Sequence, residues 1–147
     1  MAYSDRELLA RVIKCEAGGE GDNGMKGVAT VIMNRMRIPY GEYQRIGQGN
    51  IRNIIFQEGQ FDCVRSVING IPNPQTIWAN PPEQIHYDIA DWALAGNRLY
   101  PIGYSLWYFN PFNPQCPYYF PPNQTGSFQV RVVQHCFYNP PEKYAET

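Results

Sequence analysis

The sequence predicts an α+β fold, mostly helical, with a small antiparallel sheet of two or three strands. Two observations carry this. Up to Gly96, apolar side chains recur at helical spacing between capping and breaking residues. Beyond it the chain turns to aromatic and β-branched runs bounded by Pro, Gly and Asn.

The first helix covers residues 5–17. Leu8, Leu9, Val12 and Ile13 form its stripe, Ser4 or Asp5 caps it, and Gly18-Gly19 stops it. A second carries Met25, Val28, Ala29, Ile32, Met33 and Met36 on one face, with Asp22 or Asn23 as cap and Pro39 closing it. Its three apolar turns suit a central core helix. Ile51, Ile54 and Ile55 give a short helix within 50–57. A fourth runs from Pro81-Pro82, through Ile85, Ile89 and Trp92, to Gly96, with proline first and glycine last. The strands are expected at 105–110 and 127–133.

With 12 basic and 13 acidic residues the chain carries almost no net charge, so neither nucleic acid nor an anionic membrane is an expected partner. A hydrophobic content of 44% argues against disorder. No apolar run approaches the roughly 18 residues of a membrane span. Met1 to Arg6 lead into charged residues without the core of a signal peptide, so the protein is expected to stay where it is translated. No linker or repeat divides the 147 residues, and one domain over 1–147 is expected. Cys15, Cys63, Cys116 and Cys136 lack zinc-site or redox spacing and read mainly as thiols, with a Cys116–Cys136 bridge as the alternative. No metal site is assigned. The composition is unusual in its 13 prolines and in its aromatic side chains, nine of which fall between Tyr100 and Pro122.

Glu16 is the most informative residue. With Leu8 at zero and a turn of about 100° per residue, Val12 falls near 40°, Glu16 near 80° and Leu9 near 100°. A carboxylate therefore points from the middle of an apolar stripe, with no basic side chain three or four residues away. Lost solvation raises the pKa of such a carboxyl, and Glu20, if near, would raise it further. A carboxylic acid protonated at neutral pH is what general-acid cleavage of a glycosidic bond requires. The competing reading is a helix-end glutamate that reaches water or pairs with a distant arginine.

Other residues carry weaker signals. Glu20 could cap a helix, bind a cation or simply be solvated. Phe61-Asp62 could line a groove, though a buried Phe in a turn is commoner. His86 reads as an ordinary surface or packing residue, whereas His135 is a site candidate. Trp107, Tyr108 and Asn110 could offer flat rings and an amide to sugar rings, or alternate in and out of a core strand. No dinucleotide, Walker, HExxH or GxSxG motif is present, and Cys15 with His135 lacks the support a thiol nucleophile needs.

Five segments in order resemble the SleB/CwlJ family of bacterial cell-wall hydrolases. They are Glu16-Ala17-Gly18-Gly19-Glu20 closing the first helix, Asn34-Arg35 ending the second, Gln60-Phe61-Asp62, Leu106 to Pro111, and Gln134 to Tyr138. After Phe61 the family more often has Glu or another residue in place of Asp62. The endings Ser-Leu-Trp-Tyr-Phe and His-Cys-Phe-Tyr are similar to its CwlJ-like branch. The resemblance implies a lysozyme-like fold and degradation of spore cortex peptidoglycan during germination. It gives Glu16 the role of catalytic acid and Glu20 a structural or supporting one. Glu20, Gln60, Phe61, Trp107, Tyr108, Asn110 and His135 are then the candidates for holding the glycan. It further implies residence in the spore coat or at the cortex boundary after synthesis in the mother-cell cytoplasm, a coat-protein partner, and activation by calcium or calcium dipicolinate.

Ordinary glycosidases use two carboxylates, about 5–5.5 Å or 6.5–9.5 Å apart. With one strong candidate, Glu16 is expected to act as acid and then base while the sugar's own 6-hydroxyl closes the ring. Plain hydrolysis, with Asp62 or Glu20 orienting water, is the rival. A non-catalytic coat or glycan-binding component is the alternative outside enzymes.

Overall fold

A computed structural model describes residues 2–147. Five α-helices come in order, α1 (Asp5–Ala17), α2 (Gly21–Arg37), α3 (Gly41–Gly47), α4 (Ile51–Ile55) and α5 (Gln84–Leu94). A two-residue hairpin, β1 (Val67–Ile68) with β2 (Ile71–Pro72), precedes α5. A three-stranded antiparallel sheet follows from β3 (Trp107–Phe109), β4 (Ser127–Val132) and β5 (His135–Asn139), in the order β3-β5-β4. This is the expected α+β class. No helix among the described residues is long and apolar enough to cross a membrane.

Helix α1 begins where the Ser4 hydroxyl accepts from the Glu7 amide at 3.1 Å. It buries Leu8, Leu9, Val12 and Ile13 completely. Helix α2 starts just before its expected cap, after Glu20, because Gly21 takes a φ of 75° that lets the chain reverse there. Asp22 lies inside the first turn and pairs with Lys26 at 3.0 Å. Ile38, extended before Pro39, ends the helix. Helix α5 begins at Gln84 rather than at the prolines. Glu83 caps it, and the His86 Nδ1 atom accepts from the Glu83 amide at 2.9 Å, so His86 is a buried capping residue.

Gly27 of α2 faces the sheet. A Cβ there would lie 2.9 Å from Phe137 of β5, so only a glycine lets helix and central strand meet so closely. In the β3–β5 register Tyr108 stands opposite Phe137 and Phe109 opposite Cys136. Tyr108, His135 and Phe137 therefore share the face turned to the helices, and Trp107, Phe109 and Tyr138 share the other.

Two of the four cysteines are not the free thiols expected of them. Cys116 and Cys136 form a disulfide that ties the aromatic loop to β5, whereas Cys15 and Cys63 are free. Closing a loop across 20 positions contributes about 3 kcal/mol by the chain-entropy relation.

Candidate active site

Glu16 sits in the last turn of α1, partly buried. Its Oε1 atom accepts from the Tyr108 hydroxyl at 2.6 Å, and its Oε2 atom lies 3.9 Å from the Cys63 Sγ, a weak thiol donor. Among the described residues it makes no ion pair. Burial raises its pKa above the usual glutamate value. The Tyr108 hydroxyl and the charges of Arg35 and His135 pull it back in part, and Asp62 adds a small upward push. The Tyr108 hydroxyl is itself driven well above its ordinary value, first by burial and then by the Glu16 charge, so it remains a donor.

Glu20 plays no part in raising Glu16. Its Oε1 atom is 2.7 Å from His135 Nδ1 and accepts from the Gln134 amide at 3.1 Å. It fastens the β4–β5 turn to the start of α2, and the His135 ring meets the Tyr108 ring edge-on at 5.3 Å.

The end of α2 carries the strand that bears Tyr108. Asn34 Nδ2 donates to the carbonyls of Gly103 and Ser105, each at 2.9 Å. Arg35 Nε donates to the Leu106 carbonyl at 2.8 Å. Arg35 is only 5% exposed, and its guanidinium lies 4.9 Å from the Tyr43 ring, 5.7 Å from Phe61 and 5.8 Å from Tyr108. Gln60 Oε1 accepts from the Tyr43 hydroxyl at 3.0 Å and from Arg35 at 3.4 Å. Gln60 and Phe61 thus brace a buried cation beside Glu16 instead of lining an open groove, and Phe61 is 3% exposed.

One further expectation is corrected. Trp107 is buried on the opposite face of the sheet, edge-on to Tyr144 at 5.8 Å, with no free face for a sugar ring. The Asn110 Oδ1 atom accepts from the Phe112 amide at 2.8 Å and shapes the turn after β3. Glu16, Tyr108, His135, Gln60 and Phe61 are gathered around one centre, and Trp107 is not. Sequence reasoning gave no site role to Tyr43, Cys63 or Arg35. Arg35 stood out only as half of the Asn-Arg motif.

An open cavity of about 810 Å³ lies against Phe109, Asn113, Gln115, Tyr118, Phe128 and Arg131. Phe109 alternates with Tyr108, so this concavity is on the far side of β3 from Glu16. Near Glu16, the Cys15 and Cys63 thiols and a Glu16 oxygen lie within 4.8 Å of one another, the one group of this kind among the described residues.

The Tyr108 hydroxyl fixes one oxygen of Glu16. Tyr108→Phe keeps the ring and removes the donor, so the Glu16 pKa rises further and the carboxyl loses its fixed orientation. The expected result is a rate about tenfold lower or less, with the alkaline limb of the pH–rate profile moved to higher pH. Loss of rate with that limb unmoved would contradict the assignment.

Residues 19–138 match the cell wall hydrolase family. The chain belongs to that family. The match opens just past Glu16. Cell wall hydrolase CwlJ of Bacillus subtilis (strain 168) is 31% identical over 145 residues, 97% of this chain and 90% of that protein. The CwlJ of Halalkalibacterium halodurans is 28% identical over 137 residues, 92% of this chain and 85% of its own. Among solved structures, the catalytic domain of the germination-specific lytic transglycosylase SleB from Bacillus anthracis superposes with a TM-score of 0.65 at 22% identity, over 94% of this chain and 98% of that one. That likeness speaks for the fold, and the cell wall hydrolase has the lysozyme-like architecture expected of it.

Proposed function

We propose that this cell wall hydrolase cuts the glycan strands of spore cortex peptidoglycan during germination, as a muramidase-type lytic transglycosylase with Glu16 as its one acid–base group. The observation that carries the reading is a carboxyl with a raised pKa, held on one oxygen by Tyr108, with no second carboxylate bonded to it. The other acids nearby are engaged or open to water. Glu20 is tied to His135, and Asp62 is exposed and pairs loosely with Arg65 at 3.7 Å. The CwlJ relatives, and SleB as a germination-specific lytic transglycosylase, point the same way.

In this mechanism protonated Glu16 gives its proton to the oxygen linking muramic acid to glucosamine, and the C1–O bond breaks. The resulting carboxylate takes the proton of the muramic 6-hydroxyl, whose oxygen closes on C1. No water is consumed, and an intramolecular nucleophile needs no second carboxylate to place it. Tyr108 and Arg35 stabilise the carboxylate between the two steps. We place the whole chain, as one catalytic unit, in the spore coat or at the cortex boundary, held by a coat protein.

Mass spectrometry of digested cortex tests the reaction. The expected fragments end in 1,6-anhydromuramic acid; reducing ends would show plain hydrolysis instead. A second reading, a glycan-binding coat component without catalysis, draws on the exposed rings of Tyr100, Phe112 and Tyr118. Stoichiometric binding to cortex with no soluble fragment would favour it.

A further inference from the structure

We infer that Cys15, Cys63 and Glu16 form a binding site for a thiophilic divalent cation of the Zn²⁺ type, and that the bound ion holds the enzyme inactive by occupying a Glu16 oxygen. The binding half of this inference stands on geometry alone. The inhibitory half rests on Glu16 being the acid proposed above.

The three ligand atoms come from two elements. Cys15 and Glu16 are neighbours at the end of α1, and Cys63 lies in the 3-10 turn Asp62–Val64 packed against it. Their two sulfurs and one oxygen lie within 4.8 Å of one another. Around a tetrahedral zinc, with Zn–S near 2.3 Å and Zn–O near 2.0–2.2 Å, sulfur–sulfur separations are about 3.8 Å and sulfur–oxygen separations about 3.5 Å. Side-chain rotations that draw the ligands in by an ångström or less complete three corners. The fourth is left for water or another small ligand.

The donor set selects the ion. Two thiolates and one carboxylate favour Zn²⁺ or Cd²⁺ over Ca²⁺ and Mg²⁺, which take oxygen ligands in larger number. Cys116 and Cys136 are spent in a disulfide, so the free thiols of the protein are these two, side by side. Of the Glu16 oxygens, Oε1 is occupied by Tyr108, and Oε2 has the Cys63 thiol as its neighbour. Oε2 is therefore the atom for the ion and also the one free to deliver a proton to a glycan. As the ion binds, the two thiol protons and any proton on Oε2 leave to solvent, and the acid is lost until the metal is removed.

The test uses the full chain, stripped of metal with EDTA and then freed of the chelator. Titration with Co²⁺ as a spectroscopic stand-in should give a thiolate-to-cobalt charge-transfer band that saturates at one ion per chain. Zn²⁺ should bleach that band and protect both free thiols from alkylation. Cys15→Ser and Cys63→Ser should each weaken Zn²⁺ binding by more than about 100-fold, beyond the loss typical of an outer supporting partner. Glu16→Gln should weaken it while keeping the charge-transfer band. One equivalent of Zn²⁺ should stop muropeptide release by the wild type, with recovery on adding EDTA, and each Ser variant should resist relative to its own metal-free rate.

A cobalt spectrum without the thiolate band, or isolation of the chain with Cys15 and Cys63 joined in a disulfide, would overturn the site. Metal binding with undiminished cleavage would overturn the inhibitory role. A wild type that binds metal yet never cleaves would count against the function proposed above and leave the site standing. If either Ser variant fails to fold, the cobalt spectrum and thiol protection of the wild type decide alone.

Discussion

Glu16→Gln is expected to fold normally and release no muropeptides. General acid or base catalysis by a placed side chain contributes about 10²–10⁴-fold for each role. In the proposed mechanism one carboxyl fills both, so the loss should be at least about 10³-fold and reach the detection limit. The amide keeps the shape of the protonated acid, and its oxygen can still accept from Tyr108. The same substitution has a signature in stability. Burial raises the Glu16 pKa in the folded protein, so the native state holds this proton more tightly than the unfolded chain. The contribution of Glu16 to stability is thus full below the unfolded value, near pH 4.3, and declines as pH rises through the folded value. At pH 7 the Gln variant should melt a few degrees above wild type, and the gap should close below about pH 4. A variant that melts lower at pH 7, or still solubilises cortex, contradicts this account of Glu16. Turbidity of decoated spores and a melting series across pH supply both readings.

The second large effect is expected from Arg35→Met. The methionine fills much of the volume but leaves the Leu106 carbonyl without its donor and removes the cation packed on Tyr43, Phe61 and Tyr108. An orphaned buried acceptor alone costs about 1–3 kcal/mol. The midpoint of urea unfolding should therefore fall clearly. Activity should fall further than stability explains, because β3 loses the tether that sets Tyr108 against Glu16. The site also loses a positive charge that favours the Glu16 carboxylate, so any residual activity should extend to higher pH. Arg35→Lys should restore only part of this, since an ammonium cannot reproduce the flat fork between the rings. Full activity in Arg35→Met would show that the tether is dispensable.

The parts of the molecule that were legible in the sequence are those fixed by local periodicity. Helix α1 and the inward direction of Glu16 follow from four apolar side chains turning about 100° per residue. Helix α2 and its end at Pro39 follow in the same way. Helix α3 escaped because it has seven residues and buries two, Tyr43 and Gly47, too few to show a stripe. Strand β5 escaped because it is central. His135, Cys136, Phe137 and Tyr138 are all buried, so no alternation marks it.

The surroundings of Glu16 were less legible for a related reason. Tyr108 is 92 residues away and Cys63 is 47, and no spacing rule links them to a helix end. Trp107 and Tyr108 look alike in sequence, and the sheet register alone sends one into the far core and the other to the carboxyl. Glu20 looked like a like-charge neighbour of Glu16, but the turn at Gly21 swings it toward His135.

The central claim is that one glutamate is kept from bulk water and so holds its proton to higher pH than an ordinary glutamate does. Carbon NMR of side-chain-labelled glutamate, with Glu16→Gln used to assign the resonance, reads that proton directly. The account predicts a Glu16 carboxyl that titrates above the other glutamates and at the same pH as the alkaline fall in cleavage rate. A Glu16 signal that titrates at the ordinary glutamate value, while the rate falls elsewhere, would contradict it.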